Sequence, residues 1–495
     1  MLDGLLVGLT TSISPSMLLA MFVGTVIGVF IGMLPGLTST MGVALLIPAT
    51  FSFPPGVGLS LLGGIYLAST FSGAISAILL NIPGTPSAVA TCWDGYALTQ
   101  KGKGGYAIGL AVFGSCIGGI FSTIVLLLMA PLLANLALLL GAQEYFLLAV
   151  FGVTVIASLS EGDLLKSLIV GVLGLILSMV GMHPMTGEMR LTFDIPTLYD
   201  GLPLVIILIG LYSIPEVINL LDERNRKNQK LDSTFNASVW GMLRGTLAHK
   251  MNLIRSSVIG TIIGIIPGAG SSIASFIAYD FAKRTSSAPE LFGKGAEDGV
   301  IASETANNAV TGGSLVPLLT LGVPGNAVTA VLMGGLIIHG LAPGPALFEQ
   351  TPEVAYGFIF SLFWSNLAFV PVGLLVAKYC SRVIFLPKEI LAASILALAI
   401  IGSYAMRAQV EDILLMLFMG AVGYLFSLLK VSRAPLVLGL VLGGMAESGL
   451  SRAMLLTHHD PVALLSSFVT RPISLVLILL CVLSLYYGIK PIKKA

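Results

Sequence analysis

Residues 256–282 read SSVIGTIIGIIPGAGSSIASFIAYDFA, and the fold turns on them. Two apolar runs meet at Pro267-Gly268-Ala269-Gly270-Ser271-Ser272. Each run is about a dozen residues, short of the ~20 that a helix needs to cross a bilayer. Arg255 precedes the pair, and Lys283-Arg284 follows it. Cations collect on the cytoplasmic side of membrane proteins, so both flanks are expected there. The chain is therefore expected to enter the membrane, break at PGAGSS and return. Broken backbone is tolerated at that depth only where protein buries it or it lines a wet cavity. That makes the break a candidate transport site.

The rest of the composition agrees. Of 495 residues, 56% are hydrophobic and only 10% charged, against about 25% charged in soluble domains. This excludes an ordinary soluble protein, and the net charge of +1 with no basic tract gives nucleic acid no footprint. The first twenty residues hold no Lys or Arg, so no signal-peptide n-region is expected. Cys92, Cys116, Cys380 and Cys481 form no CxxC pair and read as small core residues. The expected fold is an all-α polytopic membrane protein, with about eleven or twelve spans plus re-entrant hairpins.

A second broken element lies near the N-terminus, where apolar runs flank Leu34-Pro35-Gly36-Leu37-Thr38-Ser39-Thr40. A shift of 232 superposes the two. Val26-Ile27-Gly28 falls on Val258-Ile259-Gly260, Pro35-Gly36 on Pro267-Gly268, and Ser39 on Ser271. Further on, Ile82-Pro83-Gly84 matches Val323-Pro324-Gly325 at a shift of 241. Two ordered Pro-Gly breaks thus recur in each half. No Lys or Arg precedes Lys101, so the N-terminal end is expected outside. Arg224, Arg226, Lys227, Lys230, Arg244, Lys250 and Arg255 mark residues 222–255 as a cytoplasmic linker. Lys490, Lys493 and Lys494 place the C-terminus inside. The organisation expected is a first transmembrane repeat over 1–221, the linker, and a second repeat over 256–495. An odd number of crossings between the two broken elements would invert one repeat relative to the other. Many secondary transporters are built this way, with their sites at interrupted helices near the midplane.

Interrupted helices offer chemistry without charged side chains. Half-helix N-termini suit carboxylates, and unwound carbonyls suit Na⁺. Substrate-binding candidates are Pro35, Gly36, Thr38, Ser39, Thr40, Pro267, Gly268, Gly270, Ser271 and Ser272, with Thr85, Ser87 and Asn326 from the second pair of breaks. Thr329 belongs to the same set of polar side chains. For each hydroxyl the plainer alternative is a helix cap or a bond to a nearby carbonyl. No Lys or Arg lies well inside an expected span, so an anion would be held by N–H groups and neutral side chains. Glu304, Asn307, Asn308 and Thr311 recur at i, i+3, i+4 and i+7, hence on one helix face. They are cation-binding candidates together with Gly36, Gly268 and Gly325. The alternative is an acid near a helix end and two asparagines bonding between helices. Asp280 is expected to pair with Lys283 or Arg284. His458-His459-Asp460 looks metal-like but lacks further ligands nearby and reads as a loop. No Walker A, HExxH or G-x-S-x-G motif occurs, so no enzyme is expected.

Four stretches carry a family resemblance. They are LPGLTSTMGVALLIPATF (34–51), NIPGTPSA (81–88), IPGAGSSIASFIAYDFAK (266–283) and FGKGAEDGVIASETANNAVTGGSLVPLLTLGVPGNAVTAVLMGG (292–335). The chain resembles the TctA family, the large membrane subunits of bacterial tripartite tricarboxylate transporters. The resemblance implies a secondary transporter in the bacterial inner membrane. It would import a small di- or tricarboxylate with a cation, typically Na⁺, as coupling ion and no cofactor. It implies two partners, a small four-helix membrane subunit and a periplasmic solute-binding protein. Membrane lipid would surround it; the oligomeric state is open, a dimer being one form. The alternative function is a carboxylate channel or a non-transporting membrane scaffold.

Overall fold

The computed structural model describes residues 2–159, 164–183, 185–222, 238–379, 384 and 386–489. Arg224, Arg226, Lys227 and Lys230 of the linker, Cys380, and Lys490, Lys493 and Lys494 lie outside the described residues. A bilayer core supplies no water to backbone groups, so a spanning chain must satisfy them within helices. The described chain does so as an all-α polytopic protein.

The first part runs α1 (Leu2–Ser12), α2 (Pro15–Met33), α3 (Ser39–Thr50), α4 (Pro55–Leu80), α5 (Val89–Gln100) and α6 (Gly104–Ala137). Then come α7 (Ala142–Leu159) and α8 (Leu164–Ser178), a small antiparallel pair β1 (Gly181–Met182) and β2 (Met189–Arg190), and α9 (Leu204–Asp222). The second part runs α10 (Val239–Ala248), α11 (Lys250–Ile265), α12 (Gly270–Thr285), α13 (Glu297–Leu321) and α14 (Ala327–Ile338). It continues through α15 (Pro345–Gln350), α16 (Pro352–Tyr379), α17 (Lys388–Arg407), α18 (Val410–Leu428) and α19 (Ala434–Leu456). α20 (Pro461–Thr470) and α21 (Pro472–Ile489) follow.

Among the described residues, 8 helices are long and apolar enough to cross a membrane, or 9 if α20 and α21, bent by 86°, make one span. α7 and α8 are apolar but short, and α13 is long but polar. α13 tolerates that polarity because protein surrounds it: every residue from Gly299 to Thr320 is buried. α4 is enclosed in the same way from Gly58 to Leu80. The two helices are counterparts at the shift of 241, and both end at left-handed residues, Asn81 (φ 56°) and Gly322 (φ 69°).

The Pro-Gly breaks also share local geometry. α2 stops at an extended Leu34 (φ −85°, ψ 113°) and α11 at Ile266 (φ −77°, ψ 114°). Gly36 (φ 94°) and Gly268 (φ 85°) then take a left-handed turn that side chains disfavour. The chain doubles back after each. Arg255, near the start of α11, donates from Nη1 to Thr285 Oγ1 (2.8 Å) at the end of α12. Its guanidinium also lies over the Phe281 ring, 5.4 Å from the centroid. In the other element, Met17 at the start of α2 lies against Gly56 in the first turn of α4, the helix that follows α3. Each first arm packs on its buried axis helix through glycine. A Cβ at Gly28 would sit 2.7 Å from the Ile65 carbonyl oxygen, and one at Gly260 2.3 Å from that of Ala306. Small residues allow such backbone approach between membrane helices.

Other expectations are settled locally. Asp280 pairs with Arg284 at 2.7 Å. Asp460 caps α20 by accepting from the Val462 amide at 2.9 Å. Cys92, Cys116 and Cys481 are buried free thiols. Within 222–255, residues 239–248 are helical as α10, because Ser238 caps the first turn and Met242 packs inward onto Gly109.

Candidate functional site

A cavity of about 380 Å³ lies where the breaks meet. Thr38, Ser39 and Thr40 line it from the start of α3, and Gly268, Gly270, Ser271 and Ser272 from the start of α12. Thr85 and Ser87 come from the turn before α5, and Asn326 from the start of α14. These ten are all sequence candidates, drawn from four separate breaks. Pro35, Gly36, Pro267 and Gly325 do not line it. Pro35 and Pro267 sit in the turns themselves, and the Gly325 carbonyl accepts from the Gly268 amide at 2.7 Å, which joins the two breaks of the second half. Gly36 borders a neighbouring cavity of about 270 Å³ with Glu216, Asn219, Leu220 and Asp222.

What converges on the larger cavity is a set of helix N-termini. A helix start carries unsatisfied N–H groups and about half a positive charge. Some are already used: Thr38 Oγ1 accepts from the Met41 amide (3.2 Å), and Asn326 with Thr329 forms a reciprocal cap. So the cap alternative holds for Thr38, Asn326 and Thr329. The first turn of α12 has no side-chain cap, which leaves its N–H groups to whatever fills the cavity. The walls are held in place by hydroxyl bonds. Tyr66 Oη bonds Ser314 Oγ (2.9 Å) and accepts from Asn326 Nδ2 (2.9 Å), linking α4, α13 and α14. Thr85 Oγ1 and Ser87 Oγ lie 3.1 Å apart.

Sequence reasoning passed over Tyr66, Thr70, Tyr212, Glu216, Ser432 and Arg433, which also line the cavity. Arg433 brings a cation to this lining from a position before α19, not from inside a span. It donates from Nε to the Gly423 carbonyl (3.2 Å) and from Nη2 to Ser427 Oγ, and borders the cavity beside Ser432. Glu216 of α9 lines both cavities, so they adjoin at the C-terminal end of that helix.

Glu304, Asn307, Asn308 and Thr311 lie deeper, fully buried on α13. Thr91 Oγ1 donates to Glu304 Oε1, and Ser115 Oγ to Oε2 (3.3 Å). Asn307 Nδ2 donates to the Thr70 carbonyl (3.1 Å), Asn308 Nδ2 to that of Ser115 (3.3 Å), and Thr311 Oγ1 to that of Asn308 (2.6 Å). The interhelical asparagine bonds of the alternative reading are therefore present. Thr91 and Ser115 carried no signal in the sequence, because hydroxyls are common in these helices.

Buried polar axis helices, paired breaks and a cavity at their meeting point define a multi-pass membrane protein built for transport. The comparisons give the family. The model of the tripartite tricarboxylate transporter TctA family matches residues 18–438. An uncharacterized 52.8 kDa protein in the TAR-I ttuC' 3' region of Agrobacterium vitis is 36% identical over 474 residues, 96% of this chain and 93% of that protein. An uncharacterized protein in the TAR-II ttuC' 3' region of the same organism is 36% identical over 227 residues, 45% of this chain and 92% of that protein. No solved structure matches. The chain belongs to the TctA family and is a subunit of a tripartite tricarboxylate transporter.

Proposed function

We propose that this chain carries a small di- or tricarboxylate across the bacterial inner membrane by symport with Na⁺. A periplasmic binding protein delivers the solute, and a small four-helix membrane subunit completes the complex. The observation that carries this reading is the cavity itself: the uncapped start of α12 and Arg433 face a space of about 380 Å³. N–H groups and a guanidinium are the donors that carboxylates prefer. The two halves, 1–221 and 256–495 around a linker, act as inverted repeats with the N-terminus periplasmic and the C-terminus cytoplasmic. The charge distribution supports that orientation. On it, Arg433, Glu216 and the adjoining smaller cavity lie toward the cytoplasm, so the described state faces inward. Alternating access then requires one repeat-derived unit to move against the rest.

Uptake of labelled di- and tricarboxylates into proteoliposomes holding the three-part complex tests this. A Na⁺ gradient should drive uptake of at least one, and Arg433→Gln should raise its half-saturation concentration about tenfold or more, the loss expected for one charge-assisted contact. Uptake indifferent to Na⁺ would point to a channel, and unchanged kinetics in Arg433→Gln would remove the cavity from the solute path.

A further inference from the structure

Glu304 is a buried carboxylate that accepts from uncharged hydroxyls, Thr91 of α5 and Ser115 of α6. No Lys or Arg pairs with it among the described residues. An ionised carboxylate in such a place needs a positive charge, or it must hold a proton. Its neighbours decide between the two. Asn308 stands one turn on, and both residues meet Ser115: Glu304 takes its hydroxyl, and Asn308 bonds its carbonyl. Asn307 is the other neighbour on that face. Both asparagines are fully buried and tied down through Nδ2, and each leaves Oδ1 without a partner. An unpaired buried acceptor destabilises the fold unless something fills the site. A proton on Glu304 gives one O–H donor, which can serve at most one of the two amide oxygens. A metal cation takes several oxygens at once, and hard cations choose carboxylate, carbonyl and hydroxyl oxygen.

We propose that Glu304, Asn307 and Asn308, with the hydroxyls of Thr91 and Ser115, bind a dehydrated Na⁺ at the junction of α5, α6 and α13. This rests on the symport reading and deepens it: the coupling ion sits behind the solute cavity and not in the Pro-Gly breaks. Two connections carry its effect to the solute. Thr91 lies one turn along from Ser87, which lines the cavity, so ion binding draws α5 onto α13 and sets that wall. Asn307 bonds the carbonyl of Thr70, which also lines the cavity.

The test is thermal unfolding of the purified full chain in nanodiscs, titrated with NaCl against choline chloride at constant ionic strength and without carboxylate. Na⁺ should raise the melting temperature saturably, as binding to the folded state alone requires. Glu304→Gln should abolish the response, and Asn308→Ala should shift its midpoint about tenfold. Asn308→Ala keeps the carboxylate and serves if Glu304→Gln does not fold. A Na⁺ response unchanged in Asn308→Ala and in any folded Glu304→Gln protein overturns the site, as does a wild-type response to acid but not to Na⁺. Carboxylate uptake is scored separately. Na⁺-driven uptake with wild-type Na⁺ dependence in both variants sinks this site and leaves symport standing. A Na⁺ response lost in Glu304→Gln, in a chain that moves no carboxylate, does the reverse.

Discussion

Asp94 holds three backbone amides at once. Its Oδ1 accepts from Gly293, Gly295 and Ala296, each at 2.8 Å, and its Oδ2 accepts from Tyr279 Oη at 2.8 Å. The residue is fully buried. It ties the segment between α12 and α13 to α5, and so braces the exit of the second hairpin against the first half of the chain. Gly293 (φ 82°) and Gly295 (φ 100°) supply the left-handed turns that aim their amides at one oxygen. Asp94→Ala should destabilise the purified chain by about 3 kcal/mol or more, since each stranded buried donor costs about 1–3 kcal/mol. A melting temperature within error of wild type would contradict the bracing role. At this scale the sequence was only partly legible. Asp280 stood out and forms an exposed pair with Arg284, whereas Asp94 did not, because its partners are backbone groups far along the chain. Nothing local says that the loop before α19 folds against the breaks.

Elements were more legible, because breaks are written in Pro and Gly. The two PG turns, the left-handed ends of α4 and α13, and the cap at Asn326 fall where the sequence places interruptions. The junction of α10 and α11 was not foreseen. There His249 Nδ1 lies 2.8 Å from Asp298 Oδ1, and Nε2 lies 3.7 Å from Glu297 Oε2, at the start of α13. Hydrogen bonds to Asp298 and then Glu297, against some burial, push its pKa from 6.5 up to about 9. The folded state therefore binds the proton more tightly than the unfolded one. The stabilisation is full below about pH 6.5 and is lost as pH rises through about 9. Melting temperatures between pH 6 and pH 10 should fall more steeply for wild type than for His249→Gln. Parallel curves would show that the imidazolium does not tether α11 to α13.

On the scale of the whole molecule, the sequence repeat shows as shared geometry. α4 and α13 are enclosed alike, their glycine-bearing partners α2 and α11 approach equivalent positions, and all four breaks reach one cavity. The order of the breaks was legible. That the cavity also draws on α9 and the start of α19 was not, since those parts carry no repeated motif. The central claim is that breaks from both halves contact one bound carboxylate. The direct measurement is thiol protection in a background with Cys92, Cys116, Cys380 and Cys481 replaced, carrying either Ser39→Cys or Ser272→Cys. The transported carboxylate should slow maleimide labelling at both positions, at least several-fold and with the same half-protecting concentration. Protection of only one position, or different half-protecting concentrations, would contradict a single cavity built from the two halves.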